Sequence, residues 1–316
     1  MAVQLLDGGV PSPLERLVDD YLLSCQARGL VPKSLRQYRQ SLCSILLPWC
    51  ASEGVIEVRQ LDRRTLDRFT GSLLGRRTAA GKELSKHSVH TYIRPVRLML
   101  TWASREGEEV VAKPQLPRRE KPIRDVLSRE EIDRMERVMP SERDKLIVRV
   151  FGDCGLRLDE LTRLRSGDIV RSGRQAHLRV NGKRGRIRDV PIPPQVLRRL
   201  DRLIVGQPED QTSDHIFLTL RRSRSGGYEA LTAGGVYQVV KEAVERATIR
   251  KRVFPHLLRH SWMTEMLRAG MNPIQLSVIA GASPDVIASC YTHLNKDDSY
   301  DAMIQALTHD KRPNRR

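Results

Sequence analysis

Residues 255–261 read Pro-His-Leu-Leu-Arg-His-Ser. Proline is tolerated in the first turn of a helix, where its missing N–H would have no partner anyway. The stretch therefore opens a helix predicted over 257–269. Three positions separate His256 from Arg259, which sets both on one helical face. Alone, such a pair is only a solvated face, because charged helix surfaces are the default. Its surroundings change the reading. Upstream, with Arg157 placed 99 positions before His256, lies Gly155-Leu156-Arg157-Leu158-Asp159-Glu160-Leu161. Downstream, with Tyr291 placed 31 positions after His260, lies Cys290-Tyr291-Thr292-His293. Between the first two, Asn181-Gly182-Lys183-Arg184-Gly185 joins two short strand-like segments, 176–180 and 186–192, as a basic hairpin turn.

The chain around these segments divides in two. Residues 12–29 form an amphipathic helix in which Ser12 caps, Pro13 suits the first turn, Glu15 completes a capping box and Gly29 stops the helix. Leu14, Leu17, Val18, Tyr21, Leu22 and Cys25 fall on one face. Similar stripes predict helices over 34–52, after Asp62, and over 85–105, the last kinked by Pro95. Four such helices with short links make a small bundle. Residues 112–124, Ala-Lys-Pro-Gln-Leu-Pro-Arg-Arg-Glu-Lys-Pro-Ile-Arg, hold three prolines and six charges and read as a linker. Beyond it, Ser128 and Glu131 make a second capping box. Helices are predicted at 142–154, 194–204, 232–247, 273–281 and 284–290, and a short strand at 215–219. The expected fold is mainly α with a small β component: a helical domain over 1–113, a linker over 114–124 and a mixed α+β domain over 125–316 with a C-terminal tail helix. That tail helix rests on Tyr300, Met303, Ile304 and Leu307, which share one helical face.

Lys plus Arg total 55 against 38 Asp plus Glu, a net charge of +17, of which +5 lies in residues 1–113 and +12 beyond. Such a field attracts polyanions, and its spread lets both domains face one nucleic acid. No apolar run approaches the roughly 20 residues of a membrane span, and the N-terminus lacks the basic start and apolar core of a signal peptide. A cytoplasmic protein is expected. The five cysteines are scattered without a Cys-x-x-Cys pair, so they read as free, mostly buried thiols. No cluster of side chains has ligand spacing, and neither a metal nor a cofactor is expected.

Taken together, the order and spacing of these segments resemble the tyrosine recombinase (phage integrase) family, over nearly the whole chain. The resemblance implies a helical, SAM-like core-binding domain followed by a catalytic domain, the two clamping duplex DNA. Within it, Arg157 matches the first catalytic arginine, Glu160 the acidic residue that follows, and Lys183 the lysine of the β-hairpin. His256 and Arg259 match the H-x-x-R motif, His260 follows as in many members, and Tyr291 matches the nucleophile, with His293 close behind. The implied activity is site-specific cleavage and rejoining of duplex DNA through a 3′-phosphotyrosyl bond, serving integration, excision, transposition or resolution. It needs no metal or high-energy cofactor, and members typically act as homo-tetramers on two DNA sites. The short stretch before residue 12 points to the two-domain, Xer-like or transposon-borne kind, without a separate arm-binding domain.

The chemistry accounts for these residue types. Negative charge gathers on the non-bridging phosphate oxygens during attack, and two guanidinium forks, Arg157 and Arg259, can bind them bidentately. Tyrosine, with a pKa of about 10, is a weak nucleophile that needs a base and a positive field; His256 is the candidate base. Lys183 is the candidate acid for the leaving 5′-oxygen, with Arg184, Arg186 and Arg188 as competitors in a hairpin that could also serve only to touch phosphates. Glu160 is expected to orient a neighbour. His260 reads equally well as a buried hydrogen-bonding residue. Tyr300 competes with Tyr291 but fits the apolar stripe of the tail helix. One departure stands out: where the family usually has L-G-H, this chain has Ala280-Gly281-Ala282, and Ala282 offers no phosphate donor. The alternatives are a type IB topoisomerase-like enzyme that relaxes strands, and a non-catalytic DNA-binding protein whose site has decayed at Ala282.

Overall fold

The structure, a computed structural model of the chain, describes residues 10–78, 81–117, 125–173, 175–182, 185–209, 211, 213–224, 226–291, 300, 303 and 304. It comprises two compact units, Met1–Lys121 and Pro122–Arg316.

Unit 1 is a helical bundle. Helix α1 (Pro13–Ala27) starts at the expected capping box: the Ser12 N–H donates to Glu15 Oε2 at 2.7 Å, and the Glu15 N–H donates to Ser12 Oγ at 3.2 Å. The helix expected over 34–52 runs instead from α2 (Pro32–Ser41) through a π-helical turn, Leu42–Leu46, into α3 (Leu47–Ser52). Pro48, which has no N–H to give, sits at the start of α3, and the widened turn before it absorbs the break. Helix α4 (Arg63–Gly75) is capped by Asp62, whose carboxylate accepts from the Thr65 N–H at 2.7 Å. Helix α5 (Lys86–Arg105) follows Ser85 and carries a buried Pro95. Leu42, Leu46, Leu66, Phe69, Ile93, Met99 and Leu100 form the middle of an apolar core. Residues past 113 still pack on this bundle: Pro114 is buried and its carbonyl accepts from Arg97 Nη1 at 3.2 Å.

Unit 2 surrounds a three-stranded antiparallel sheet in the order β1-β2-β3 with helices. Helices α6 (Arg129–Arg137) and α7 (Glu142–Cys154) pack as a pair and lead into the short α8 (Leu158–Thr162), which periodicity did not reveal. Strand β1 (Ile169–Ser172), also unanticipated, pairs with β2 (Gln175–Asn181), and β2 pairs with β3 (Ile187–Pro191) across the expected hairpin. The strand expected at 215–219 is not a ladder strand. His215 and Leu218 make only isolated bridges, to Arg165 and Ala230. Helices α9 (Pro194–Val205), α10 (Ala233–Arg246), α11 (Pro255–Arg268), α12 (Pro273–Ala280) and α13 (Pro284–Cys290) complete the unit. A large core around Phe151, Leu178 and Phe217 holds the sheet. A smaller one, with Trp262, Met263, Leu276, Ile287 and Cys290, binds α11, α12 and α13 together. Among the described residues, no helix is long and apolar enough to cross a membrane.

Candidate active site

The site is built where α7 ends. Gly155 adopts the left-handed conformation, φ 57°, and the Trp262 ring lies 2.0 Å from where a Cβ would sit. Any side chain there would meet both a strained backbone and the indole. The freed carbonyl of Gly155 accepts from Arg259 Nη1 at 2.6 Å.

Two residues on, Arg157 caps α8, and Glu160 reaches back to it. Glu160 Oε2 accepts from the Arg157 N–H at 2.7 Å, and Oε1 from Arg157 Nη1 at 2.7 Å. From β3, Arg188 completes the shell, with Nη1 to Oε1 at 2.6 Å and Nη2 to Oε2 at 2.8 Å. Four hydrogen bonds fill the acceptor capacity of a carboxylate. Arg259 stands at the rim of this contact, Nη1 4.0 Å from Oε2. Burial would push the Glu160 carboxyl up, but the hydrogen bonds from Arg188 and Arg157 overcome it and hold the pKa at about 2. One fixed negative charge thus faces three guanidiniums, leaving the cluster with excess positive charge.

The same three arginines cap α12. The last carbonyls of a helix lack intrahelical partners and gather partial negative charge. Here Ile279 O accepts from Arg188 Nε at 2.8 Å, Ala280 O from Arg259 Nη2, and Gly281 O from Arg157 Nη2. Gly281 is left-handed, φ 58°, and a Cβ there would press on the Arg188 side chain at 3.0–3.3 Å. Ala282 follows in a tight turn, its N–H donating to Ser277 O at 3.1 Å and its carbonyl accepting from Ser277 Oγ at 2.8 Å.

Helix α11 carries the expected His-x-x-Arg pair, divided by burial. His256 is exposed in the first turn, whereas Arg259 is 2 % exposed. Burial first, and then the neighbouring Arg157, pull the Arg259 pKa down to about 9, which leaves it cationic near neutral pH. His260 is buried, and its Nδ1 lies 3.5 Å from Cys290 Sγ. Cys290 ends α13, so this contact fixes the end of the helix that Tyr291 caps. Tyr291 itself is 45 % exposed. Lys183 and His293 lie outside the described residues, as does Leu307 of the tail stripe; Tyr300, Met303 and Ile304 are helical and exposed.

The structure thus joins Arg157, Glu160 and Arg259 in one cluster and adds Arg188, which the sequence offered only as a competitor of Lys183, together with Gly155 and Gly281, which it offered only as members of the stretches around Arg157 and Ala282. Arg188 had a signal. It shares the inward side of β3 with Val190 at the strand period of two. The signal for the glycines was their place in the stretches that carry Arg157 and Ala282. Chemically, the cluster offers fixed positive charge and guanidinium N–H groups, a setting suited to an anion that gains charge in a transition state.

A model of the phage integrase family matches residues 125–298. The tyrosine recombinase XerD of Staphylococcus haemolyticus is 25% identical over 292 residues, covering 90% of this chain and 95% of the relative. The solved XerH site-specific recombinase, bound to a palindromic difH substrate in a post-cleavage complex, superposes with a TM-score of 0.68 at 18% identity, over 90% of this chain and 83% of that one. A lambda integrase tetramer bound to a Holliday junction gives 0.63 at 18% identity, over 93% and 78%. With the family model spanning more than half its length, this chain belongs to the phage integrase family and is a tyrosine recombinase, an enzyme of site-specific DNA recombination.

Proposed function

We propose that Tyr291 attacks a phosphodiester of duplex DNA, forms a 3′-phosphotyrosyl bond and releases a 5′-hydroxyl; the 5′-hydroxyl released from the partner strand then attacks that bond, rejoins the DNA and frees the tyrosine. Arg157 and Arg259 bind the non-bridging oxygens, His256 assists proton removal from the tyrosine, and Lys183 protonates the leaving oxygen. Glu160 reacts with nothing; it orients the arginines. The covalent bond conserves the energy of the phosphodiester, so rejoining needs no nucleotide cofactor. The partner is double-stranded DNA, held largely through Lys and Arg contacts to phosphate, and the working assembly is a homo-tetramer on two sites. The observation that carries this reading is the Glu160-centred cluster, in which both matched arginines share one carboxylate and one helix end.

The test uses a nicked duplex built on the sequence the protein selects from a random pool. Covalent adduct should accumulate in excess EDTA, and mass spectrometry of the digested adduct should place the nucleotide on the peptide containing Tyr291. A nucleotide on Tyr300, or an adduct that forms only when magnesium is restored, would contradict the reading.

A further inference from the structure

We propose that Arg188 is a positioning residue of the cleavage reaction, a keystone that sets Arg157 and Arg259 by holding Glu160 and the end of α12 together. The inference rests on the roles proposed above for those two arginines.

Three observations carry it. First, Arg188 is turned inward. Its side chain is 9% exposed, and Nε, Nη1 and Nη2 each donate to the protein, two of them to buried Glu160 and one to Ile279 O at the end of α12. Second, it supplies two of the four hydrogen bonds to Glu160. The remaining two come from Arg157 alone, and a carboxylate held from one side only is free to turn with that residue. Third, Arg188 Nε grips Ile279 O, one carbonyl before Ala280 O, which Arg259 holds, and two before Gly281 O, which Arg157 holds. Gly281 lies against the Arg188 side chain, where a Cβ would come within 3.0–3.3 Å of its Cδ, Nε and Cζ. Glu160 and α12 are therefore two rails between which both phosphate-binding arginines hang, and Arg188 is the only residue of β3 seen to bridge the rails. A displacement of about 1 Å in a reacting group can cost about 10²-fold in rate.

The planar fork matters as much as the charge, because a lysine cannot make the bidentate contact. Arg188→Met and Arg188→Lys are compared with wild type on the nicked duplex described above, by single-turnover cleavage at saturating protein, duplex affinity and thermal unfolding. Arg188→Met should cleave about 10²-fold more slowly, and Arg188→Lys should fall between it and wild type, while affinity stays within about threefold. A single-turnover loss without an affinity loss marks positioning. The Lys variant retains a cation in the buried cluster and serves if the Met variant fails to fold. Wild-type cleavage by Arg188→Lys, or a loss of affinity matching the loss of rate in either variant, would overturn the proposal. If Arg188→Lys slows only in proportion to its unfolded fraction, the proposal is likewise overturned. Failure of the underlying reading is separable, since it shows in the wild-type arm as an absent adduct.

Discussion

The bundle of unit 1 and the arginine cluster of unit 2 are both buried, by opposite means. In the bundle, Leu42, Leu46, Phe69 and Met99 contribute apolar surface, and another apolar side chain of similar volume comes close to serving. In the cluster, Glu160 and Arg259 are charged, and each owes its place to named partners. Burial of apolar groups is stabilising without regard to direction. Burial of charge is tolerated only where the partner and its geometry are fixed. The first region can drift in sequence, whereas the second changes only as a set.

Breaking the cluster should have the largest effect. Glu160→Leu leaves three guanidiniums without their shared anion, and removing one partner of a buried ion pair costs about 3–5 kcal/mol. Denaturant unfolding followed at Trp262, the one tryptophan of unit 2, should register that loss, and adduct formation should fall more than about 10²-fold. Stability within about 1 kcal/mol of wild type would mean the cluster is no more than a set of surface pairs. In the bundle, Leu46→Ala should cost about 2–5 kcal/mol through the cavity it leaves. Trp49 and Trp102 should report it, and single-turnover cleavage at saturating protein should stay near the wild-type rate. A matching collapse in cleavage would erase the distinction between the two regions.

Acid should also separate them. The folded-state pKa of Glu160, about 2, lies below its ordinary 4.5. Its contribution, about 3 kcal/mol, is therefore present above pH 4.5 and lost as pH falls toward 2. With fluorotryptophan in the intact chain, the Trp262 signal should shift in that window before those of Trp49 and Trp102. Simultaneous shifts, or Trp262 shifting last, would place the acid-labile element elsewhere.

This contrast also explains what could be read from sequence. The bundle was legible because its signals are local. Ser12 and Glu15 lie three residues apart, and apolar stripes repeat within a helix. The π turn at Leu42–Leu46 was not, since Pro48 permits several ways of resolving a helix break. In unit 2, Arg157, Glu160 and Arg259 were found through motif spacing, and Glu160 was expected to orient a neighbour, but the network through which it does so was not legible. It depends on Arg188, 28 residues away, and on α12, more than 100 away. Strand β1 and helix α8 are only four and five residues long, too short for a period to show. The segment at 215–219 has a strand's composition, yet its backbone pairs only at isolated bridges to Arg165 and Ala230, a tertiary outcome that composition does not encode. Ala282 was legible as a departure from the family; its turn, closed by Ser277, was not.

The central claim is that Tyr291, which caps the helix end fixed by the Cys290–His260 contact, makes the covalent bond. Its most direct test is Tyr291→Phe on the selected, nicked duplex, with covalent adduct and duplex affinity measured side by side. The account predicts no adduct and an affinity within a few fold of wild type, because the lost hydroxyl takes no part in holding the fold. An adduct that persists in Tyr291→Phe, or one that disappears instead in Tyr300→Phe, would contradict it.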